Sequence, residues 1–243
     1  MKGTEKTSVS RSDPLYNGYE DWKLWNEMFQ FTPEDAAYFA GELCGVKVAG
    51  ACLLEVGFGS GNFLSWAIAQ GAHVAGTEIN ERSLETARSK GVELISSDFE
   101  TAVGSHAARF DTIVAFDVFE HFAVDDVRRR LSAADTLLKP GGAFLLRFPN
   151  AQSPFGLAPQ NGDPTHKSAL SRSAIEQLTR GTAFSVERYG TVYRIGGGGL
   201  ARGLTRRVRA LLRDMIGRSL NFIYTQNIPW DPVVVIVLRK APS

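Results

Sequence analysis

The sequence predicts an α/β protein in which helices cover both faces of a mostly parallel sheet. Short apolar runs alternate with helix-like segments along the middle of the chain. The runs are mainly apolar rather than alternating, which is typical of strands buried on both faces. The first run also ends in a glycine-rich turn that leads into a helix. We expect one domain over residues 1–243, with a helical cap (1–48), a core (49–150) and a substrate-side region (151–243).

The elements before the sheet are helical in this interpretation. Aromatic residues at helix-like intervals predict an amphipathic helix over 16–31, after a polar tail. Its residues Tyr19 and Trp22 either close over a ligand as a lid or pack on the sheet. Thr32-Pro-Glu is a typical helix start and predicts a second helix to about Cys44.

The remaining elements follow in chain order. Strands are predicted over 51–56, 73–77, 92–95, 110–116 and 143–148, with helices over 62–70, 81–90 and 124–138. Beyond Pro149 we expect a loop over 150–168, a helix over 171–179, a strand over 184–193, a glycine hinge over 196–199, a basic amphipathic helix over 200–220 and a last strand over 232–239. This order indicates a single wound sheet.

Bulk composition excludes several classes of protein. The formal net charge is +1, which gives no reason to expect a nucleic-acid partner. The two cysteines are too few for a disulfide framework. The polar N-terminus is unlike a signal peptide, and no run is long enough to span a bilayer. We therefore expect a cytoplasmic protein, with peripheral contact to the inner face of the membrane left open.

The glycine-rich turn carries the strongest functional signal. Gly57, Gly59 and Gly61 follow Glu55 at the end of the first strand, and glycines let a ligand approach the backbone closely. A dinucleotide fingerprint needs G-x-G-x-x-G, whereas here the third glycine comes one residue early and Asn62 takes its place. This spacing favours S-adenosylmethionine (SAM) over NAD.

Two acidic residues follow the next strands. Glu78 stands about 20 residues after the turn, where an acid accepts hydrogen bonds from ribose hydroxyls. Asp98 follows the third strand, where it can accept from an adenine amino group, and Phe99 beside it can cover the ring.

Taken together, these segments resemble the ordered motifs of class I SAM-dependent methyltransferases. The resemblance covers about residues 50–150 and includes Phe116-Asp-Val-Phe-Glu-His121 and Leu138-Lys-Pro-Gly-Gly142. It implies a Rossmann-like sheet of seven strands with the last one antiparallel. The residues implied to bind SAM are Glu55, Gly57, Gly59, Gly61, Glu78, Ile79, Asp98, Phe99, Asp117 and Val118.

The candidate catalytic residues are His121 and His166, with Asp163 orienting His166. SAM brings its own electrophilic methyl group, so a hydroxyl acceptor needs only alignment and loss of a proton. Histidine suits that proton transfer because its pKa is near neutrality. Alternatively, the segment containing Glu120 and His121 caps the next helix. Histidine and carboxylate ligands suit a metal, but their spacing does not demand one, and we expect none.

The basic helix over 200–220 has several possible binding partners. The helix can pack its apolar side on the domain or on a partner subunit, or it can lie on an anionic membrane. Alternatively, its arginines can bind an acidic substrate. The segment from Phe148 to Pro232 resembles methyltransferases of bacterial polysaccharide and glycolipid biosynthesis, and Glu120-His121 resembles quinone-type O-methyltransferases.

We therefore expect O-methylation of a small-molecule or glycan acceptor, with a sugar hydroxyl first and a lipophilic or aromatic hydroxyl second. A SAM-binding protein without catalysis and a nucleotide-dependent oxidoreductase are the alternatives from other classes. The oligomeric state is open.

Overall fold

Seven strands form one mixed sheet in the computed structural model, which describes residues 27–196 and 199–242. The strands are β1 (Cys52–Val56), β2 (His73–Thr77), β3 (Glu93–Leu94), β4 (Phe110–Phe116), β5 (Leu138–Pro149), β6 (Phe184–Thr191) and β7 (Val233–Lys240). Their spatial order is β3-β2-β1-β4-β5-β7-β6. The pairs from β3 to β5 are parallel, whereas β7 is antiparallel to both of its neighbours. The predicted fold class is confirmed.

Helices connect the strands. They are α1 (Pro33–Glu42), α2 (Asn62–Ala69), α3 (Glu81–Ser89), α4 (Val103–His106), α5 (Val124–Leu137), α6 (Leu157–Asn161), α7 (Arg172–Leu178) and α8 (Leu200–Tyr224). The predicted start of α1 is confirmed, because Thr32 caps the helix and forms a reciprocal capping box with Asp35. Short 3-10 turns cover Phe99–Ala102, Phe119–His121 and Pro154–Gly156.

Apolar side chains cover both faces of the sheet. In β1, Leu53 packs into a cluster with Phe63 and Trp66 of α2, while its neighbour Leu54 packs on the other face with Leu131 of α5. Successive residues of a strand point to opposite faces, so a strand buried on both sides is apolar at most successive positions rather than at alternate ones. This explains why the strands were recognisable as continuous apolar runs.

Several predicted boundaries were wrong. Strand β5 begins at Leu138 rather than Ala143, because residues 138–142 continue the extended chain. The predicted loop over 150–168 contains a 3-10 turn and α6, and α8 continues to Tyr224. Residues 27–31 form a turn with no helix. Residues 16–26, with Tyr19 and Trp22, lie outside the described residues, as does part of the glycine hinge.

Every helix within residues 27–196 and 199–242 is too short or too polar to cross a bilayer.

Candidate functional site

The glycine-rich turn between β1 and α2 adopts a backbone that favours glycine at three positions. The φ angles of Gly57, Gly59 and Gly61 are +65°, +51° and +75°. Residues other than glycine rarely adopt these φ angles. Gly61 is the N-cap of α2 and offers no side-chain cap, which leaves backbone N–H groups at the helix start for another acceptor.

Neighbouring side chains pack tightly over this turn. A Cβ atom added to Gly57 would lie 2.8 Å from Cγ2 of Val118, and one added to Gly61 would lie 2.5 Å from the ring of Phe29. The backbone N–H of Phe29 also donates to the carbonyl of Ser60 at 2.8 Å. The segment before α1 is therefore anchored directly on the turn, a contact that no sequence motif indicated.

Glu78 joins the end of β2 to the glycine-rich turn. Its carboxylate accepts N–H bonds from Gly59 at 2.7 Å, from Ile79 at 2.6 Å and from Asn80 at 3.0 Å. Burial raises the pKa of Glu78, and these three donors oppose that rise. The carboxylate oxygens hold more lone pairs than these bonds use, so the site can still accept from a ligand hydroxyl.

Glu55, at the end of β1, is a buried acid. Only 4 % of the residue is exposed. Its Oε2 atom has no hydrogen-bond partner within the described chain. Burial, followed by the nearby Glu78 carboxylate, raises the pKa of Glu55 well above its usual range. A buried carboxylate in this state favours a cationic ligand.

The acid after β3 lies at the surface, but its aromatic neighbour does not. Asp98 is exposed and forms an ion pair with Arg130 at 3.3 Å. The ring of Phe99 is fully buried, with the Arg130 guanidinium 5.2 Å from its centre. In this structure Phe99 belongs to the core, and Asp98 is the exposed member of the pair.

An arginine and a tyrosine that the sequence analysis missed surround Asp117. The guanidinium of Arg147 pairs with Asp117 and donates to the Tyr38 hydroxyl at 3.0 Å. Asp117 has a φ of +56°, a strained value next to the end of β4. Arg147 is a charged residue within the apolar strand β5, and that signal could have identified it.

His121 and His166 lie together because the turn after β4 is hydrogen-bonded to the loop after β5. The 3-10 turn after β4 carries Glu120 and His121, and the carbonyl of Glu120 accepts N–H bonds from Lys167 at 2.7 Å and Ser168 at 3.0 Å. The rings of His121 and His166 meet edge to face, with centroids 4.7 Å apart. Both side chains are largely buried. The two histidines that the sequence offered as separate candidates therefore lie side by side.

A hydrogen-bond chain fixes the tautomer of His121. The Thr165 hydroxyl donates to Oδ1 of Asp163 at 2.5 Å and lies 2.8 Å from Nδ1 of His121. Because the hydroxyl has one proton and gives it to the carboxylate, it must accept from Nδ1–H. The neutral His121 ring then carries its lone pair on Nε2, so this nitrogen can accept a proton.

His166 is held differently from the expectation. Its Nδ1 lies 2.9 Å from the carbonyl of Gln160, so this nitrogen carries the proton. Its Nε2 lies 3.9 Å from Asp163 and 4.0 Å from Glu120, outside hydrogen-bond range. The Asp163 carboxylate therefore orients His121 through Thr165. The expectation that Asp163 orients His166 is met only by the backbone, where the His166 N–H donates to the Asp163 carbonyl at 3.3 Å.

The same pair of histidines, together with Glu120, could hold a metal ion. One ligand atom from each residue lies within 4.8 Å of the others. In both rings Nδ1 is engaged by a hydroxyl or carbonyl, the arrangement that commonly orients metal-binding histidines. The expectation that no metal is needed is therefore open to experiment.

The other two histidines lie away from this cluster. His73 is exposed at the amino end of β2. His106 contacts Ser105 at 2.7 Å and lies 3.4 Å from Glu93. Neither is brought to the carboxyl ends of the strands, where Gly57, Glu78 and Asp117 meet.

Comparison with known proteins matches this geometry. The family described as "Methyltransferase domain" matches residues 24–189. A ubiquinone biosynthesis O-methyltransferase of Aromatoleum aromaticum is 31% identical over 101 residues, which cover 39% of this chain and 42% of that protein. The matched stretch thus spans less than half the length of this curated relative.

Solved structures share the fold at low sequence identity. A SAM-dependent methyltransferase from Archaeoglobus fulgidus is 18% identical, with a TM-score of 0.64 and coverage of 94% of this chain and 100% of that one. A 1,6-didemethyltoxoflavin-N1-methyltransferase from Burkholderia thailandensis, solved with bound S-adenosylhomocysteine, is 18% identical with a TM-score of 0.56, covering 95% of this chain and 87% of that one.

These findings define a SAM-dependent class I methyltransferase. With well over half of its length matched, the chain belongs to the methyltransferase domain family, and SAM is its cofactor. The residues present fit that cofactor, because a buried acid with an unpartnered oxygen stands beside a glycine-rich turn with open N–H groups. The methionine part of SAM carries both a cation and a carboxylate.

Proposed function

We propose that this methyltransferase methylates a hydroxyl group on a small lipophilic or aromatic acceptor of the quinol type. The hydrogen-bonded chain from Asp163 through Thr165 to His121 supports deprotonation of a hydroxyl. The relatives named as ubiquinone biosynthesis O-methyltransferases support the acceptor class. They favour it over the sugar hydroxyl that we placed first from the sequence.

The SAM-binding residues belong to this proposal. The backbone N–H groups at the start of α2, directly after Gly61, would hold the methionine carboxylate, and Glu55 would face its ammonium group. Gly59 would act through its own N–H bond to Glu78. Glu78, supported by the N–H of Ile79, would accept from the ribose hydroxyls. Asp98 would accept from the adenine amino group. Gly57, Asp117 and Val118 would complete the walls of the cleft, and Phe99 would support Asp98 from the core.

His121 is the proposed base. When bound, SAM supplies a methyl group on a positively charged sulfur, ready for in-line attack by an oxygen. The acceptor oxygen would bond to that methyl carbon while the methyl–sulfur bond breaks and its electron pair returns to sulfur, which leaves S-adenosylhomocysteine. Nε2 of His121 would take the hydroxyl proton. The imidazolium that results is stabilised through Nδ1–H and Thr165 by the negative charge of Asp163. His166 would position the acceptor beside it.

Methyl transfer from radiolabelled SAM to chosen acceptors tests the acceptor class. We expect label in a dihydroxyphenol that carries a hydrocarbon chain and none in its dimethyl ether, which has the same shape without a hydroxyl. Label only in a nucleotide-linked sugar would overturn the proposal in favour of sugar methylation. Measured SAM binding without label in any acceptor would favour the non-catalytic alternative.

Glu55 supplies a prediction that joins stability to cofactor affinity. Because its pKa is raised in the folded state, the carboxyl group contributes stability that is fully present below its unfolded pKa and is lost as pH rises through the folded pKa. We expect Glu55→Gln to raise Tm by about 2–4 °C at neutral pH. We expect the same variant to weaken SAM binding about tenfold, through loss of the anion.

Thermal unfolding and SAM titration at several pH values check this prediction. The wild-type protein should bind SAM more tightly as pH rises, since the cofactor favours the ionised acid, whereas Glu55→Gln should be nearly independent of pH. Glu81→Gln, at an exposed acid on α3, is the matched control. A Glu55→Gln variant with wild-type affinity at every pH would contradict the assignment.

A further inference from the structure

Helix α8 turns its apolar side away from the protein. None of the residues from 201 to 224 is buried. Large apolar side chains are about half exposed or more along its length, namely Leu204, Val208, Leu211, Leu212, Met215 and Ile216. Near its end Phe222 is 87 % exposed. Soluble helices normally bury such a stripe, so this orientation requires a reason.

Polar contacts fix the helix in this orientation. Arg206 pairs with Glu34 of α1 at 2.7 Å, and Asp214 pairs with Arg194 at 2.6 Å. Near the C-terminal end, the side-chain oxygen of Asn221 accepts from the Trp230 indole at 2.9 Å. Two small residues face the body between these contacts: the carbonyl of Ala210 accepts from Arg194, and Gly217 lies against Trp230. The apolar stripe is thus held outward along the whole helix.

Arginines border the apolar stripe on both sides. On a helical wheel at about 100° per residue, the stripe occupies one sector, with Arg207 and Arg218 along one edge. Arg202, Arg209 and Arg213 lie along the other edge. The helix carries six arginines and a single acidic residue, Asp214. This is the pattern of a helix that lies in the membrane interface, where long basic side chains reach outward to anionic headgroups.

We propose that α8 docks this methyltransferase on an anionic lipid surface through its outward apolar stripe. The helix lies outside residues 24–189, the part that the family matches. A second copy of the chain fits it less well. Two α8 stripes packed together would bring rows of arginines against each other with few acids to neutralise them. The proposal does not depend on which acceptor is methylated.

Vesicle flotation tests the docking with the full chain. We expect the wild-type protein to float with vesicles of phosphatidylcholine mixed with phosphatidylglycerol, much less with phosphatidylcholine alone, and less as salt is raised. Leu211→Ser/Met215→Ser should lower the partition coefficient at least about tenfold. Arg207→Gln/Arg209→Gln should lower it about tenfold on the anionic vesicles.

Matched controls keep the test specific. Arg128→Gln/Arg180→Gln removes the same charge from exposed sites on the body and should leave flotation unchanged. Val124→Ser removes an exposed apolar side chain of α5 and should also have no effect. All changes are at exposed positions, so circular dichroism and SAM affinity should match the wild type.

Two results would overturn the docking proposal. One is the absence of flotation on anionic vesicles. The other is a stable dimer in light scattering that Leu211→Ser/Met215→Ser converts to a monomer, because the stripe would then cover a second copy.

Discussion

Replacing His121 by alanine is expected to lower kcat by about 10²–10⁴-fold, with the affinity for SAM unchanged. The variant loses the nitrogen that accepts the hydroxyl proton, while the glycine-rich turn and Glu78 are untouched. His166→Ala should also lower turnover, with a larger share of its effect on the KM of the acceptor. Steady-state kinetics and SAM titration separate the two. His73→Ala, at an exposed histidine on β2, is the control and should behave as wild type.

Thr165→Val distinguishes proton transfer from simple packing. Valine has nearly the same shape but cannot pass the charge of Asp163 to His121, so the imidazolium loses its stabilisation. We expect kcat to fall about tenfold and the acid limb of the pH–kcat profile to move to lower pH, because the pKa of His121 drops. Full kcat in both histidine variants would show that the base assignment is wrong.

Treatment with a chelator distinguishes a general base from a metal ligand as the role of His121 and His166. If His121 acts as a base alone, dialysis against EDTA leaves kcat unchanged. Loss of activity that Mg²⁺ or Zn²⁺ restores would instead assign Glu120, His121 and His166 to a cation that binds the acceptor oxygens. In that case Glu120→Gln should weaken metal binding in a calorimetric titration without changing SAM affinity.

The features of the site that depend on the backbone were predictable from the sequence. Strands buried on both faces, the glycine-rich turn and the acid after β2 leave local signals, since each is required by hydrogen bonding or sterics over a few residues. The ends of β2 and β4 were predicted at His73–Thr77 and Phe110–Phe116, where the structure has them. The helix cap at Thr32 is also determined by a few neighbouring residues.

Contacts between distant segments were not predictable in this way. Thr165 bridges Asp163 and His121 only because two loops meet through the carbonyl of Glu120. Phe99 looked like a ligand-facing aromatic residue beside an acid, yet tertiary packing places it beneath Arg130. The outward direction of the α8 stripe also depends on distant ion pairs, so the periodicity showed a stripe without showing where it faces.

Gly57→Ala is expected to weaken SAM binding by at least about tenfold. After the loss of kcat in His121→Ala, this is the second large effect that we expect. Two costs act together at this position. A left-handed φ of +65° costs an alanine about 1 kcal/mol relative to glycine. The new Cβ would also lie 2.8 Å from Val118, a short branched side chain that cannot swing away easily. The turn must therefore shift, and the backbone N–H groups beside it no longer point towards the cofactor.

Gly91→Ala is the matched control, because it separates strain from the clash. Gly91 has a similar φ of +73°, and a Cβ there would meet no atom within 4 Å. Both variants should lose a few degrees of Tm in thermal unfolding, but only Gly57→Ala should lose SAM affinity. Gly57→Ala/Val118→Ala, which removes the obstructing methyl groups, should recover part of that affinity. Equal loss of affinity in Gly91→Ala would show that the effect is one of stability, and the glycine-rich turn would lose its assigned role.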